Sequence, residues 1–260
     1  MTKRRDKKNY LAGHQRSWIW GRHAVGEILE AGQWPMHELY LADDLTEDAI
    51  ATMEKQAQAL GATTEVVSRK RIRALCGTSA HQGILARMGP YPYAPWDKAT
   101  EDHGAPALWL VLDGLRDPNN FGALIRSAAA LSATGIIVGQ QEQTPVNNHV
   151  ARASAGAVNR IPIIQAASLE EALATLQQQG VHCAAADPQG SVPVWECDFT
   201  RDIALVMGNE SAGIREALLR LCDDRVVIPG NTLLDSLNVA AAGTVMLYEA
   251  ARQRNAGTAG

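Results

Sequence analysis

ALWLVLDGLRDPNNFGALIRSAAALSATGIIV, residues 107–138, reads as strand, polar turn, helix and strand. Ala107–Leu112 is a near-continuous apolar run, the pattern of a strand covered by helices on both faces. Pro118, Asn119 and Asn120 punctuate a turn, Phe121–Leu131 has the apolar density of a packed helix, and Gly135–Val138 is a second apolar strand. Working outward, the alternation continues. Strands are predicted at Ile161–Ile164, Val181–Ala186, Ile203–Met207 and Arg225–Ile228. Helices are predicted at Leu169–Gln179, at Arg215–Leu221 and from about Ser236 to Arg254. Repeated strand–helix–strand units predict an α/β fold with a mostly parallel sheet. Ligands of such sheets bind beyond the C-terminal ends of the strands.

Toward the N-terminus the texture differs. Residues 90–106 hold Pro90, Pro92, Pro95 and Pro106 with little periodicity, which predicts a proline-stiffened linker. Before it, residues 17–89 alternate on a smaller scale. Trp18–Gly26 leads into a helix, Glu38–Ala42 is a strand and 47–60 a helix; Glu65–Val67 and Gly83–Met88 are strands around a basic helix with Arg69, Lys70, Arg71 and Arg73. The expected organisation is a basic tail (1–16), a small α/β unit (17–89), the linker (90–106) and a large α/β domain (107–257).

The formal net charge is −4, but it is uneven. Residues 1–90 carry 13 Lys and Arg against 10 Asp and Glu, a net of +3; residues 91–260 carry 11 against 18, a net of −7. A first half that faces nucleic acid and a second half with another task fit that asymmetry. The tail, with Lys3, Arg4, Arg5, Lys7, Lys8 and Arg16 against Asp6, reads either as a solvated segment or as an arm that contacts phosphate. It lacks the apolar stretch of a secretory signal, and no run of 18 apolar residues predicts a membrane span. Cys76, Cys183, Cys197 and Cys222 form no CxxC pair and read as reduced, mostly buried thiols of a cytosolic protein. No metal-ligand spacing is present.

Three post-strand segments stand out. In LDGLRDPNNFGALIRS (112–127), Asn120 reads as a helix cap or as a site residue, and Arg126 lies nearly two turns on among apolar neighbours. In LVMGNESAGI (205–214), a glycine turn carries Asn209 and Glu210; Ile214 and Arg215 stand where a phosphate-binding loop needs Lys and Ser or Thr. In VIPGNTLLDSLNVAAAG (227–243), Ser236 is a candidate cap, and Ala240–Gly243 gives the following helix a thin face for close packing. GxGxxG is absent, which weighs against a nicotinamide enzyme.

Together the segments DPNNFGALIRSA, LVMGNESAGI and IPGNTLLDSLNVAAAG resemble the three motifs of the SpoU family of RNA 2′-O-ribose methyltransferases, within the SPOUT class. WGRHAVGEIL and HQGILA resemble the N-terminal substrate-binding extension of its ribosomal-RNA members, which has an L30e-like fold. The resemblance spans Trp18 to Arg254. It implies a C-terminal deep trefoil knot, S-adenosylmethionine as cofactor, dimerisation through the knot region and a structured RNA substrate, ribosomal RNA first and transfer RNA second. It implies catalytic roles for Arg126, Asn120, Glu210, Ser236 and Asn238. Cofactor contacts fall to Met207, Gly208, Asn209, Ile228, Leu237 and Asn238, with Ser154 and Gly156 of ARASAGAV nearby. RNA contacts fall to Arg22, His23, Arg69, Lys70, Arg71, Arg73, His81 and Gln82. No protein-built metal site is implied, and the expected place of action is the cytoplasm. The family pattern is IPM and SLNVS where this chain has Gly230, Asn231 and Ala240, and Asp235 adds a charge beside the loop. The other function that the resemblance allows is an idle RNA-binding or assembly factor on the same fold.

Overall fold

The computed structural model describes residues 17–100, 106–230 and 237–256. The chain divides into two compact units. One runs up to Pro92 and takes in Val146–Arg160; the other comprises Tyr93–Pro145 and the stretch from Ile161 onward.

In the first unit the elements are β1 (Trp18–Trp20), α1 (Arg22–Ala31), β2 (Met36–Ala42), α2 (Glu47–Ala59), β3 (Thr63–Val67), α3 (Arg69–Cys76) and β4 (Ile84–Met88). The sheet order is β1-β4-β2-β3; β4 is antiparallel to both its neighbours, and β2 is parallel to β3. Local chemistry starts and stops the helices. The hydroxyls of Thr46 and Ser68 accept the amides of Ala49 and Arg71, capping α2 and α3, and Gly77 ends α3 in the left-handed conformation. Helix α1 lacks a side-chain cap of its own; Oε1 of Gln82, sixty residues away, accepts the Arg22 amide at 2.9 Å.

The segment 146–160 joins this unit although its sequence lies inside the span read as the large domain. Its short helix, Asn148–Ala153, sets the Arg152 guanidinium 4.4 Å from the centre of the Trp20 ring. Arg160 Nε donates to Glu27 at 2.6 Å, and Tyr91 donates its hydroxyl proton to the Val158 carbonyl at 2.7 Å. Gly156, at φ +86°, lies so close to Glu27 that an added Cβ would sit 2.6 Å from its Cβ and Cγ. The structure also shortens the linker. Tyr93–Thr100 belongs to the second unit, where Ala94 donates to the Ile163 carbonyl and Trp96–Thr100 forms a short helix, α4.

The second unit is built on β5 (Leu108–Leu112), α5 (Pro118–Ala130), β6 (Gly135–Gly139), β7 (Ile163–Ala166), α6 (Leu169–Gln178), β8 (His182–Ala186), β9 (Val192–Pro193), β10 (Ile203–Met207), α7 (Glu216–Leu219), β11 (Asp224–Val227) and α8 (Val239–Ala256). Among the described residues its sheet has seven strands in the order β7-β6-β5-β10-β8-β11-β9, all parallel. The apolar strands predicted from residues 107–112, 135–138 and 203–207 are buried at every position of β5, β6 and β10. Fully buried Trp109 fills the space above Gly135, where a Cβ would stand 2.6 Å from the indole.

Helices α5 and α8 pack together, and the small residues of α8 permit it. A Cβ on Gly243 would overlap Leu124 and come within 2.7 Å of the Met207 sulfur. The Ser127 and Thr244 hydroxyls meet at 2.8 Å across this contact. At the far end of α8, Arg254 donates to the carbonyls of Phe199, Pro106, Ala107 and Arg201, which ties the helix to the start of β5. The expected knot, with Asn231, Asp235 and Ser236, depends on residues 231–236, which lie outside the described residues.

The cysteines are free thiols; Cys76, Cys183 and Cys197 are buried. Burial pushes Cys183 and Cys222 up to about 12 and Cys197 up to about 11. At neutral pH they are protonated and unreactive.

Candidate active site

The site is assembled by three loops at the C-terminal ends of β5, β10 and β11. Helix α5 begins earlier than its sequence suggests. Asp117 is the cap, its carboxylate accepting the Asn119 amide at 2.8 Å, and Pro118 takes the first helical position. Asn120 is therefore not a cap, and its side chain is free for other partners. Its Nδ2 donates to Glu210 Oε1 at 3.1 Å, and its Oδ1 accepts Asn238 Nδ2 at 3.1 Å. Asn238 caps α8: its Oδ1 accepts the amides of Ala240 at 2.9 Å and Ala241 at 3.3 Å. One amide side chain thus starts a helix with its oxygen and fixes Asn120 with its nitrogen.

Glu210 rides on a closed turn. Asn209 and Gly213 exchange backbone hydrogen bonds of 2.9 Å, and Asn209 Oδ1 accepts the Ser211 and Ala212 amides. Gly208 precedes this turn, and an added Cβ there would overlap the backbone of Gly213 and Ile214.

These loops border a cleft of about 980 Å³. Met207, Gly208, Asn209, Ile228 and Leu237 line it, with Asn120, Glu210 and Asn238 on its polar side and Ala242 and Met246 on its apolar side. That volume and mixture suit a small molecule with an apolar body and a few polar anchors. Arg126 is exposed on α5 and has no hydrogen bond or ion pair among the described residues. Ser154 and Gly156 are not among the residues lining this cleft. Ser154 is fully buried in the segment grouped with the first unit, its hydroxyl donating to the Ala151 carbonyl. Ser236 lies outside the described residues. Among the described residues no group of three His, Cys, Asp or Glu side chains is placed to hold a metal ion, and no helix is long and apolar enough to cross a membrane.

Removing the Asn120 side chain breaks both hydrogen bonds of the chain Glu210–Asn120–Asn238. A bond between two amides contributes about 1 kcal/mol, and one to a carboxylate somewhat more. Asn120→Ala is therefore expected to lower turnover by about 10-fold or more, with a melting temperature lower by only a few degrees. Steady-state rates and a thermal melt check this; a parent-like rate would show that the network is not used in the reaction.

The first unit presents the other predicted surface. Arg22, His23, Lys70, Arg71 and Arg73 are exposed, and Arg69 is exposed but paired with Asp44 at 2.6 Å. Gln82 is exposed at φ +53°, its side chain committed to the α1 amide. His81 departs from the expectation. It is buried, and its Nδ1 accepts the Gly83 amide at 3.0 Å, so it shapes the turn that leads into β4. Burial, aided by Arg69 and Arg73, holds its pKa below the usual 6.5. The unfolded chain then takes up the proton first as pH falls, so stability is lost as pH drops through about 6.5. Melting curves at pH 7.5 and 5.5 should show a larger loss for the parent than for His81→Gln. Equal losses would assign the sensitivity elsewhere.

A cleft at the strand ends of a parallel sheet, with an Asn–Asn–Glu network on its rim, is where such a fold binds a small ligand. Comparison with known proteins agrees. Residues 107–248 match the SpoU rRNA Methylase family, and residues 18–94 match the RNA 2′-O ribose methyltransferase substrate-binding family. A 23S rRNA (guanosine-2′-O-)-methyltransferase of Ralstonia nicotianae is 34% identical over 90% of this chain and 95% of its own length. The SpoU methyltransferase AviRb of Streptomyces viridochromogenes, solved with AdoMet, superposes with a TM-score of 0.78 at 27% identity, over 92% of this chain and 91% of that one. An AdoMet-bound rRNA methyltransferase of Sinorhizobium meliloti gives 0.78 at 28% identity, over 97% and 90%. The chain is an RNA 2′-O-ribose methyltransferase. It belongs to the SpoU rRNA methylase family.

Proposed function

We propose that this chain methylates the ribose 2′-hydroxyl of a guanosine in 23S-type ribosomal RNA, with S-adenosylmethionine as methyl donor. The observation that carries the reading is the Glu210–Asn120–Asn238 chain of hydrogen bonds on the rim of the cleft behind Gly208. The relatives named above supply the base and the RNA species.

The cleft fits the cofactor. Met207, Ile228, Leu237 and Met246 offer apolar contact, and backbone at Gly208 and Asn209 can approach a polar ligand because position 208 has no room for a side chain. When bound, the cofactor supplies an electrophilic methyl group at a sulfonium centre. The protein then has to align the 2′-hydroxyl, accommodate its proton and exclude water. Glu210 and the two asparagines orient the polar rim. A guanidinium stays protonated at neutral pH and is a poor base, so Arg126 is not given that task. Its role in this reading is to hold the phosphate beside the target ribose and to stabilise the oxygen as negative charge develops.

The exposed basic residues of the first unit, Arg22, Lys70, Arg71 and Arg73, contact the RNA backbone. The protein acts in the cytoplasm as a homodimer. Support for the dimer lies on α8, where Ala241, Val245 and Tyr248 form an exposed stripe away from the buried face; Val245 is 41% and Tyr248 61% exposed. The knot belongs to the same proposal, on the family likeness alone.

Incubating the chain with isotopically labelled cofactor and either ribosomal or transfer RNA, then digesting to nucleosides, tests the substrate. Label is expected in 2′-O-methylguanosine from 23S RNA. Label only from transfer RNA, or on another base, would contradict the assignment.

A further inference from the structure

The turn that carries Glu210 is gripped at both ends by two consecutive residues at the end of β5. Asp113 is the first. Its side chain is only 6% exposed, and both its oxygens are used on one residue: Oδ2 accepts the Arg215 backbone amide at 2.8 Å, and Oδ1 accepts Arg215 Nε at 2.7 Å. Gly114 is the second; its carbonyl accepts Asn209 Nδ2 at 2.6 Å. Asn209 opens the turn and Arg215 follows its close. Between the grips lies the paired segment Asn209–Gly213, with Glu210 inside it and aimed at Asn120. The outer nitrogen of Arg215, Nη1, donates to Glu170 Oε1 at 2.9 Å, so the guanidinium is held from both sides.

Nothing about a turn of this length requires a buried carboxylate beneath it. A charge taken out of water is costly unless paired, and removing one partner leaves the other uncompensated. We propose that Asp113 and Arg215 are positioning residues: their ion pair seats the 208–215 turn so that Glu210 meets Asn120 and the backbone at Gly208 faces the cofactor. The claim for Glu210 rests on the function proposed above; the claim for the turn does not. The pair touches no reacting atom and acts through the turn. An arginine is suited to it, because one planar group reaches Asp113 and Glu170 together while the same residue's amide takes the second Asp113 oxygen.

The test is Arg215→Ala and Arg215→Lys, alone and combined with Glu210→Ala. In the cofactor-free chain, amide exchange at Asn209 and Gly213 is expected to be about 10-fold faster in Arg215→Ala, with the amides of β5 and β10 unchanged as the check on folding. Methyl transfer at saturating cofactor and RNA should fall by about 10- to 100-fold, as expected for a misplaced active-site group. Arg215→Lys, which keeps the charge without the fork, should fall in between. The double variant should be no slower than Glu210→Ala alone, because the two changes remove the same contribution. Unchanged exchange at Asn209 and Gly213 would overturn the proposal whatever the activity. Losses that add in the double variant would overturn the route through Glu210. An unmodified chain that transfers no methyl group would overturn the functional reading, and the exchange result would still decide the grip.

Discussion

Arg126→Ala is expected to lower the rate of methyl transfer by about 10²- to 10³-fold, the usual loss when a charge-stabilising donor is removed from a transition state. Cofactor affinity should be unchanged, since Arg126 is not among the residues lining the cleft. The expectation rests on how α5 displays the residue. Leu124, Ile125 and Ala128 are buried, whereas Arg126 is exposed and unpaired among the described residues. Other cations of this unit are spent on structure: Arg215 on Asp113 and Glu170, Arg225 on Asp187, and Arg254 on four carbonyls. Arg126→Lys restores charge without the planar fork, so a rate well below the parent's is expected there too. A lysine variant with nearly full rate and parent-like RNA affinity would remove Arg126 from the role of phosphate and transition-state clamp.

The second large effect is at Gly208. Gly208→Ala should abolish measurable cofactor binding and destabilise the fold by about 2–3 kcal/mol or more, the range for overpacking against atoms that cannot move aside. The atoms in the way are backbone, at Gly213 and Ile214, so no side-chain rotation relieves the clash. The turn would have to open, carrying Asn209 and Glu210 away from Gly114 and Asn120. Calorimetric titration with S-adenosylmethionine and a denaturant melt check both parts. Parent-like binding would show that the turn does not form the cofactor wall.

Much of the larger unit was legible in the sequence because its strands are short apolar runs separated by amphipathic helices. The burial of β5, β6 and β10 at every position follows from that texture. Glu210, Asn120 and Asn238 were legible as residues but not as a connected set. Turn chemistry offered Asn120 as a cap; the structure gives that task to Asp117 and leaves Asn120 to join residues 90 and 118 positions away. The grouping of 146–160 with the first unit was invisible, because it depends on contacts such as Arg160–Glu27 and Arg152–Trp20 across more than 130 residues of chain. His81 looked like a surface ligand because a histidine beside Gln82 and Gly83 carries no local sign of burial. The Asp113–Arg215 pair was equally hidden: the two residues stand about a hundred positions apart in the chain, one in the first segment and one just after the second, with nothing in spacing to join them.

We propose that the cleft beyond β5, β10 and β11, served by Arg126, methylates one ribose of ribosomal RNA. The most direct measurement is a map of 2′-O-methylation across total RNA from cells that lack the gene, and from the same cells carrying either the parent chain or Arg126→Ala. One methylated guanosine in 23S-type RNA is expected to disappear with the gene, to return with the parent chain and not to return with Arg126→Ala. A map that is the same in all three, or a site restored in full by Arg126→Ala, would contradict it.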